Sequence, residues 1–125
     1  MRLDPNTHAI FVPVEVYHDG EYRAIQMLVD TGATFVSVPP DFAESLGHDL
    51  SQATRHITLQ TANGLRDAPL ITVQRIRVLG VDANDVDAVC MTLPSENKLR
   101  GLLGLSFLKH FDMDVHFRRR VLRIR

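Results

Sequence analysis

Short runs of alternating apolar and polar residues, each closed by a turn signal, commit this chain to β-structure. Ile10, Val12, Val14 and Val16 share one side of a strand in which Pro13 indicates an edge position. His18-Asp19-Gly20-Glu21 reads as a hairpin turn and Tyr22 to Val29 as the returning strand. After Asp30-Thr31-Gly32-Ala33 comes a β-rich run, Thr34 to Val38. Pro39-Pro40-Asp41 then opens a brief helix with Phe42, Ala43 and Leu46 on one side and Gly47 as its stop. Ile57, Leu59 and Thr61 alternate with Thr58 and Gln60, meet Ala62-Asn63-Gly64, and resume at Leu65. Asn-Gly between alternating segments predicts a type I′ turn, which needs positive φ at both central residues. Pro69 to Leu79 gives another long strand, turning at Gly80-Val81-Asp82, and Val86 to Leu93 follows. Leu102-Leu103-Gly104-Leu105 feeds a short helix, Ser106 to Phe111. Asp112 to Arg125 reads as two strands around Arg118-Arg119-Arg120.

A weak internal echo runs through this order. Val12 to Leu46 and Leu70 to Phe111 both read as hairpin, strand, glycine and short helix. Two copies of one unit would build a compact barrel or sandwich with internal pseudo-symmetry.

The length of 125 residues suits one ordinary domain spanning 1–125. With 14 Lys+Arg against 15 Asp+Glu, the formal charge of -1 gives no global case for a nucleic-acid or membrane-surface protein. A lone cysteine, Cys90, excludes an internal disulfide and a Cys-rich zinc site. Set among Ala88, Val89 and Met91, it reads as a small buried hydrophobe. Met1 to Ile10 carries Asp4, Pro5, Asn6 and His8 and lacks the apolar core of a leader peptide. No apolar run approaches the ~18 residues of a membrane span. The expected location is the cytoplasm, or the soluble part of a membrane-tethered protein.

The chemistry centres on Met27-Leu28-Val29-Asp30-Thr31-Gly32-Ala33. A carboxylate ending a strongly apolar strand is partly stripped of water and so placed for acid–base work. Thr31 can hydrogen-bond across an interface, and Gly32 allows close approach. The bland reading is that Asp30 caps a turn. Chance alone puts Asp-Thr-Gly in roughly 2–3% of chains this long, so context decides.

That context resembles the retropepsins, the retroviral-type aspartic proteases, and especially their single-domain bacterial relatives. Three blocks carry the resemblance in order: Met27 to Ala33, the Thr61-Ala62-Asn63-Gly64 turn, and Gly101-Leu102-Leu103-Gly104-Leu105 with Ser106-Phe107-Leu108. It spans roughly Phe11 to Ile124. Retroviral members place a polar-charged pair after the third-block glycine, where this chain has Leu105-Ser106. The resemblance implies an all-β closed barrel with one or two short helices, acting as a homodimer. It implies an aspartic endopeptidase in which two aspartates flank one water, with Asp30, Thr31 and Gly32 as the catalytic loop and no cofactor. Ala33 and the flap residues Thr61, Ala62, Asn63 and Gly64 would meet an extended peptide or protein substrate. One Asp-Thr-Gly per chain requires the second Asp30 from a second copy. Asp85, Asp87, Asp112 and Asp114 are the possible internal partners, and none stands in an apolar-Asp-Thr/Ser-Gly setting. Ala33 lacks the hydroxyl that pepsin-like relatives place beside the carboxylate, so activity is expected at mildly acidic to near-neutral pH. The rival function is a catalytically silent domain of this type, used for dimerisation or peptide binding.

Two further patterns compete for a role. His110, Asp112, Asp114 and His116 stand at alternate positions, as a metal-ligand row would. Phe111, Met113, Val115 and Phe117 fill the other face, so amphipathic alternation explains the set and no metal is expected. Arg118, Arg119, Arg120, Arg123 and Arg125 suggest nucleic acid or acidic lipid. The preferred reading is a solvated turn and a last strand, with Leu122 and Ile124 packing at the dimer interface that chain ends help to build in retropepsins.

Overall fold

The computed structural model describes residues 1–6, 8–93 and 101–125, with Thr61 described through its backbone alone. Strands β1 (Phe11–His18) and β2 (Glu21–Val29) form the first hairpin. Asp19 and Gly20 both take positive φ at its tip, 50° and 82°, which is the I′ geometry expected of a tight hairpin. Then come β3 (Val36–Val38), helix α1 (Pro40–Ser45) and a single 3-10 turn at Leu50–Gln52. The long hairpin β4 (His56–Thr61) and β5 (Gly64–Val78) leads into β6 (Val81–Cys90), β7 (Gly101–Leu103) and helix α2 (Leu105–Leu108). A separate hairpin, β8 (Met113–His116) and β9 (Val121–Ile124), ends the chain.

The main sheet runs β1-β2-β7-β3-β6-β5-β4, and β1 also pairs with β5. That extra pairing closes β1, β2, β7, β3, β6 and β5 into a six-stranded barrel and leaves β4 outside it. Pro13 lies beyond the Val14–Tyr17 stretch that pairs with β5, so its locally unpaired edge tolerates a residue without an N–H. The core is mainly aliphatic: Val12, Val14, Met27, Val36, Ile76, Leu103, Phe107 and Leu122 are all fully buried.

The internal echo is real. Exchanging β1 for β5, β2 for β6, β3 for β7 and α1 for α2 preserves the pairing scheme. The parallel pair β2–β7 becomes the parallel pair β6–β3, while β1–β5 and β3–β7 map onto themselves.

Several boundaries differ from the sequence expectation. The flap turn places Ala62 and Asn63 between the paired Thr61 and Gly64, and the positive φ falls on Gly64, at 103°. An added left-handed glycine after an ordinary turn replaces the two-residue Asn63-Gly64 turn. β5 runs without a break from the flap into the barrel, because Pro69 opposes His56 on an outer strand. Leu79 and Gly80 form the next turn, so β6 begins at Val81 and ends at Cys90, short of Leu93. The Thr34 to Val38 run is strand from Val36 onward, and the Ser106 to Phe111 helix is one turn at Leu105–Leu108. Leu122 and Ile124 were expected at an interface between copies. Both are buried inside the protomer's own core, at 0% and 6% exposure.

Candidate active site

The Asp30 loop is held from three directions. Strand β2 ends between two neighbours: Val29 N–H donates to the Ile10 carbonyl at 2.8 Å, and Asp30 N–H donates to the Leu103 carbonyl at 3.1 Å. The chain then folds back on itself, with Ala33 N–H donating to the Asp30 carbonyl. The Asp30 carboxylate accepts from Gly32 N–H at 2.9 Å through Oδ1. A Cβ on Gly32 would stand 3.2 Å from that same Oδ1, so the glycine keeps space for the carboxylate to curl over the loop. Asp30 is half-buried, and Thr31 and Gly32 are exposed. The Thr31 side chain makes no hydrogen bond among the described residues.

The third sequence block forms the back wall. Leu105 N–H donates to the Ala33 carbonyl at 2.8 Å and Ser106 N–H to the Thr34 carbonyl at 2.9 Å. Gly104 passes so close that a Cβ there would lie 2.4 Å from the Phe35 carbonyl oxygen and 2.7 Å from that of Ala33. Ser106 answers the question raised by its departure from the retroviral polar-charged pair. Its buried hydroxyl accepts from Val36 N–H at 2.8 Å and donates to the Asp87 carbonyl at 2.7 Å, joining β3 to β6 behind the loop.

Above this floor stands the β4–β5 flap. Ile57 and Leu59 from its inner face pack with Phe35, Leu70, Val89 and Met91 as a cluster separate from the main core. A cleft of about 390 Å³ lies between them, with Ala33 and Leu102 at its floor. The flap tip, Ala62-Asn63-Gly64, is exposed. Ala33 thus lies at the cleft, while its walls come from Phe35, Ile57, Leu59 and Met91, which sequence reading did not single out. The period-two pattern of Ile57 and Leu59 was the available signal; nothing local marked Phe35 or Met91.

Each internal candidate for a second carboxylate is engaged or placed elsewhere. Asp87 accepts from Arg55 at 2.9 Å and from Thr72, and the Arg55 hydrogen bond holds its carboxyl below the usual range. Asp114 pairs with Arg125 at 2.8 Å, and Asp112 exchanges backbone hydrogen bonds with Arg125. Asp85 sits at positive φ, 53°, where it interrupts the β5–β6 ladder. The pseudo-symmetric counterpart of Asp30 is Met91, whose N–H donates to the Val38 carbonyl at 3.0 Å as that of Asp30 does to Leu103. The second half thus offers a thioether at the position where the first offers a carboxylate. His116 lies against Arg119, its Nδ1 at 2.7 Å from the guanidinium. Among the described residues, no three His, Cys, Asp or Glu side chains gather as a metal site.

Comparison with solved structures supports the fold. A retropepsin-like aspartic protease from Rickettsia conorii superposes with a TM-score of 0.75 at 22% identity, over 99% of this chain and 86% of that one. The protease of Simian Foamy Virus (mac) superposes at 0.54 with 18% identity, over 80% and 92%. Likeness at such identities is one of fold, and it makes this an all-β retropepsin-like barrel with two short helices. A Sinorhizobium sp protein described as "Uncharacterized protein in cobV 5'region" is 34% identical over 92 residues, 73% of this chain. The chain spans 38% of that relative's length. The family model described as "gag-polyprotein putative aspartyl protease" matches residues 14–110, and the chain belongs to that aspartyl protease family.

Proposed function

We propose that the chain is an aspartic endopeptidase that works as a homodimer, with Asp30 of each protomer forming the catalytic pair. The observation that carries this reading is a fully braced Asp-Thr-Gly loop with one carboxylate. Asp30 is fixed through its own N–H, its Oδ1 and the back wall of Gly104 and Ser106, yet no second carboxylate pairs with it among the described residues. A water-activating pair of this type needs two carboxyl groups sharing one proton, because two carboxylates at ~3 Å cannot both ionise. A two-fold axis beside the exposed Thr31-Gly32 edge supplies the second.

In this reading, the ionised Asp30 takes a proton from the attacking water while its protonated counterpart donates to the scissile carbonyl oxygen. The flap closes over an extended peptide, which lies as an added strand with apolar side chains against Phe35, Ile57, Leu59 and Met91. Thr31 and Gly32 shape the loop, and Ala33 and residues 61–64 frame the peptide.

The test is cleavage of a model-peptide library at decreasing protein concentration. Specific activity is expected to fall as the protein is diluted through its dimer dissociation constant. Asp30→Asn is expected to lower kcat by at least about 10³-fold while the circular dichroism spectrum stays unchanged. Activity that survives dilution to monomer would refute the shared site. A dimer without cleavage in the wild-type protein would leave the domain as a binding module.

A further inference from the structure

We propose that the Ser37 hydroxyl sets the specificity of the cleft under the flap, selecting a substrate side chain that ends in a carboxamide. The proposal rests on the reading that an extended peptide lies in this cleft. β3 runs through the middle of the cleft floor, with β7 on one side and β6 on the other. Val36 and Val38 turn into the barrel core, so Ser37 between them faces the flap. The register sets Ser37 directly beside Leu102 of β7 and Val89 of β6, and all three line the cleft. Ser37 is nonetheless only 3% exposed. A single deeply buried polar side chain therefore stands at the centre of an apolar floor.

Ser37 and Ser106 are the buried polar residues among those described, and they differ in what the hydroxyl does. Ser106 uses its hydroxyl twice, on Val36 N–H and on the Asp87 carbonyl. The Ser37 hydroxyl makes no hydrogen bond among the described residues. Nor is its oxygen sealed away, as are His18 Nδ1, His48 Nε2 and Arg75 Nε, the buried side-chain atoms left without a partner. It opens to the cleft. An apolar group laid over it would leave the hydroxyl unsatisfied, at a cost in binding. Alanine would leave the substrate the same room without that cost, so room alone does not account for a serine here.

The rest of the lining narrows the chemistry of the guest. No charged side chain lines the cleft among the described residues, so a carboxylate or ammonium would lose water there without a counter-charge. The other two hydroxyls at the cleft are already provided for: Thr34 is exposed to solvent, and Thr58 donates to Asp67 at 2.8 Å. A carboxamide is uncharged, and its oxygen and NH₂ can accept from and donate to one hydroxyl. The methylene stem of Asn or Gln passes between apolar walls at Phe35, Ile57, Leu59 and Met91. Ser and Thr carry their hydroxyl on Cβ and fill less of a cleft of about 390 Å³. An apolar wall with one polar group at its base is the arrangement by which binding sites fix orientation and tell shape-matched guests apart.

The test measures binding to the full chain carrying Asp30→Asn, so that peptides are held without turnover. Short peptides of one otherwise apolar sequence carry, at one position at a time, Asn, its shape-matched counterpart Leu, or Asp, and are ranked by competition. At one position the Asn peptide is expected to bind about tenfold more tightly than its Leu twin, with Asp weaker than both. Adding Ser37→Ala should erase that margin while Leu binding changes by less than about threefold, and Ser37→Thr, which keeps a hydroxyl, should retain it. The proposal is overturned if no peptide binds this protein or the wild type, if no position favours Asn over Leu, or if the margin survives Ser37→Ala. Wild-type protein that gives the same ranking but cleaves none of the peptides would uphold the role of Ser37 and refute the catalytic pair.

Discussion

Replacing Ser106 by alanine tests the bracing of the Asp30 loop at its least redundant point. Ser106 is 8% exposed, and its hydroxyl joins two backbone groups seventy and nineteen residues away, Val36 N–H at 2.8 Å and the Asp87 carbonyl at 2.7 Å. Alanine removes both hydrogen bonds at once and offers no polar atom in their place. Val36 is 0% exposed, so its N–H is left without water. A buried unsatisfied group costs about 1–3 kcal/mol, and the two together about 2–6 kcal/mol. Against a native stability of about 5–15 kcal/mol this is a large fraction. Urea denaturation followed by far-ultraviolet circular dichroism, at fixed protein concentration, measures it. With m near 1–3 kcal/mol per molar, a loss of about 3 kcal/mol lowers the midpoint by roughly 1–3 M. Thr58→Ala is the control, because its hydroxyl bonds Asp67 at 2.8 Å on the exposed flap and should matter by less than about 1 kcal/mol. A Ser106→Ala midpoint no lower than that of Thr58→Ala would refute the view that this hydroxyl staples the wall of the site.

Gly104→Ala should be at least as damaging, by about 3 kcal/mol or more, because its Cβ meets two backbone carbonyls that cannot rotate away; thermal melts beside Gly80→Ala, where space is open and only the left-handed φ of 87° costs about 1–2 kcal/mol, measure the difference. His48 stacks on His18 at 4.3 Å between ring centroids, and burial, then the His18 charge, lowers its pKa from 6.5. Its unfolded form binds the proton more tightly, so its stabilising contribution is present above about pH 6.5 and lost as pH falls toward the folded pKa. Removing that ring with His48→Gln should flatten the fall of melting temperature over this range, and an unchanged slope would assign the dependence to other groups. Burial pushes the Cys90 thiol up to about 11, so Ellman's reagent should label it slowly at pH 8 in native protein and rapidly in urea.

Alternation and turn chemistry exposed most of the fold, because both act over a few residues. The Asp19-Gly20 hairpin, the α1 stop at Gly47 and the two strands around Arg118–Arg120 all follow from local residue preference. The Asp30 block and the apolar-apolar-glycine block were legible for the same reason. Their assembly was not. Gly104 contacts the Phe35 carbonyl, and Ser106 binds Val36, only because β7 inserts beside β2 and β3. Phe35 and Met91 belong to the cleft through that same non-local packing. Leu122 and Ile124 read correctly as an apolar register, but sequence cannot tell a protomer's core from a partner's surface. Ser106 shows the converse case, in which one hydroxyl makes two hydrogen bonds behind the loop at a position where pattern matching registered only a mismatch.

The exchange of strands between the two halves also governs how the molecule can form. Residues 27–29 gain their second neighbour only from residues 101–103, and residues 36–38 only from 88–90 and 102. Neither half can close its own sheet, so no early fragment of the chain holds a finished barrel wall. Closure of such long loops loses chain entropy before the strand contacts form, which places folding in the slow class of β topologies, milliseconds to seconds. The loop bearing Asp30 gains its far wall only when Leu103, Gly104 and Leu105 arrive. The placing of the Asp30 carboxylate is therefore a late event on the folding path, coupled to completion of the barrel.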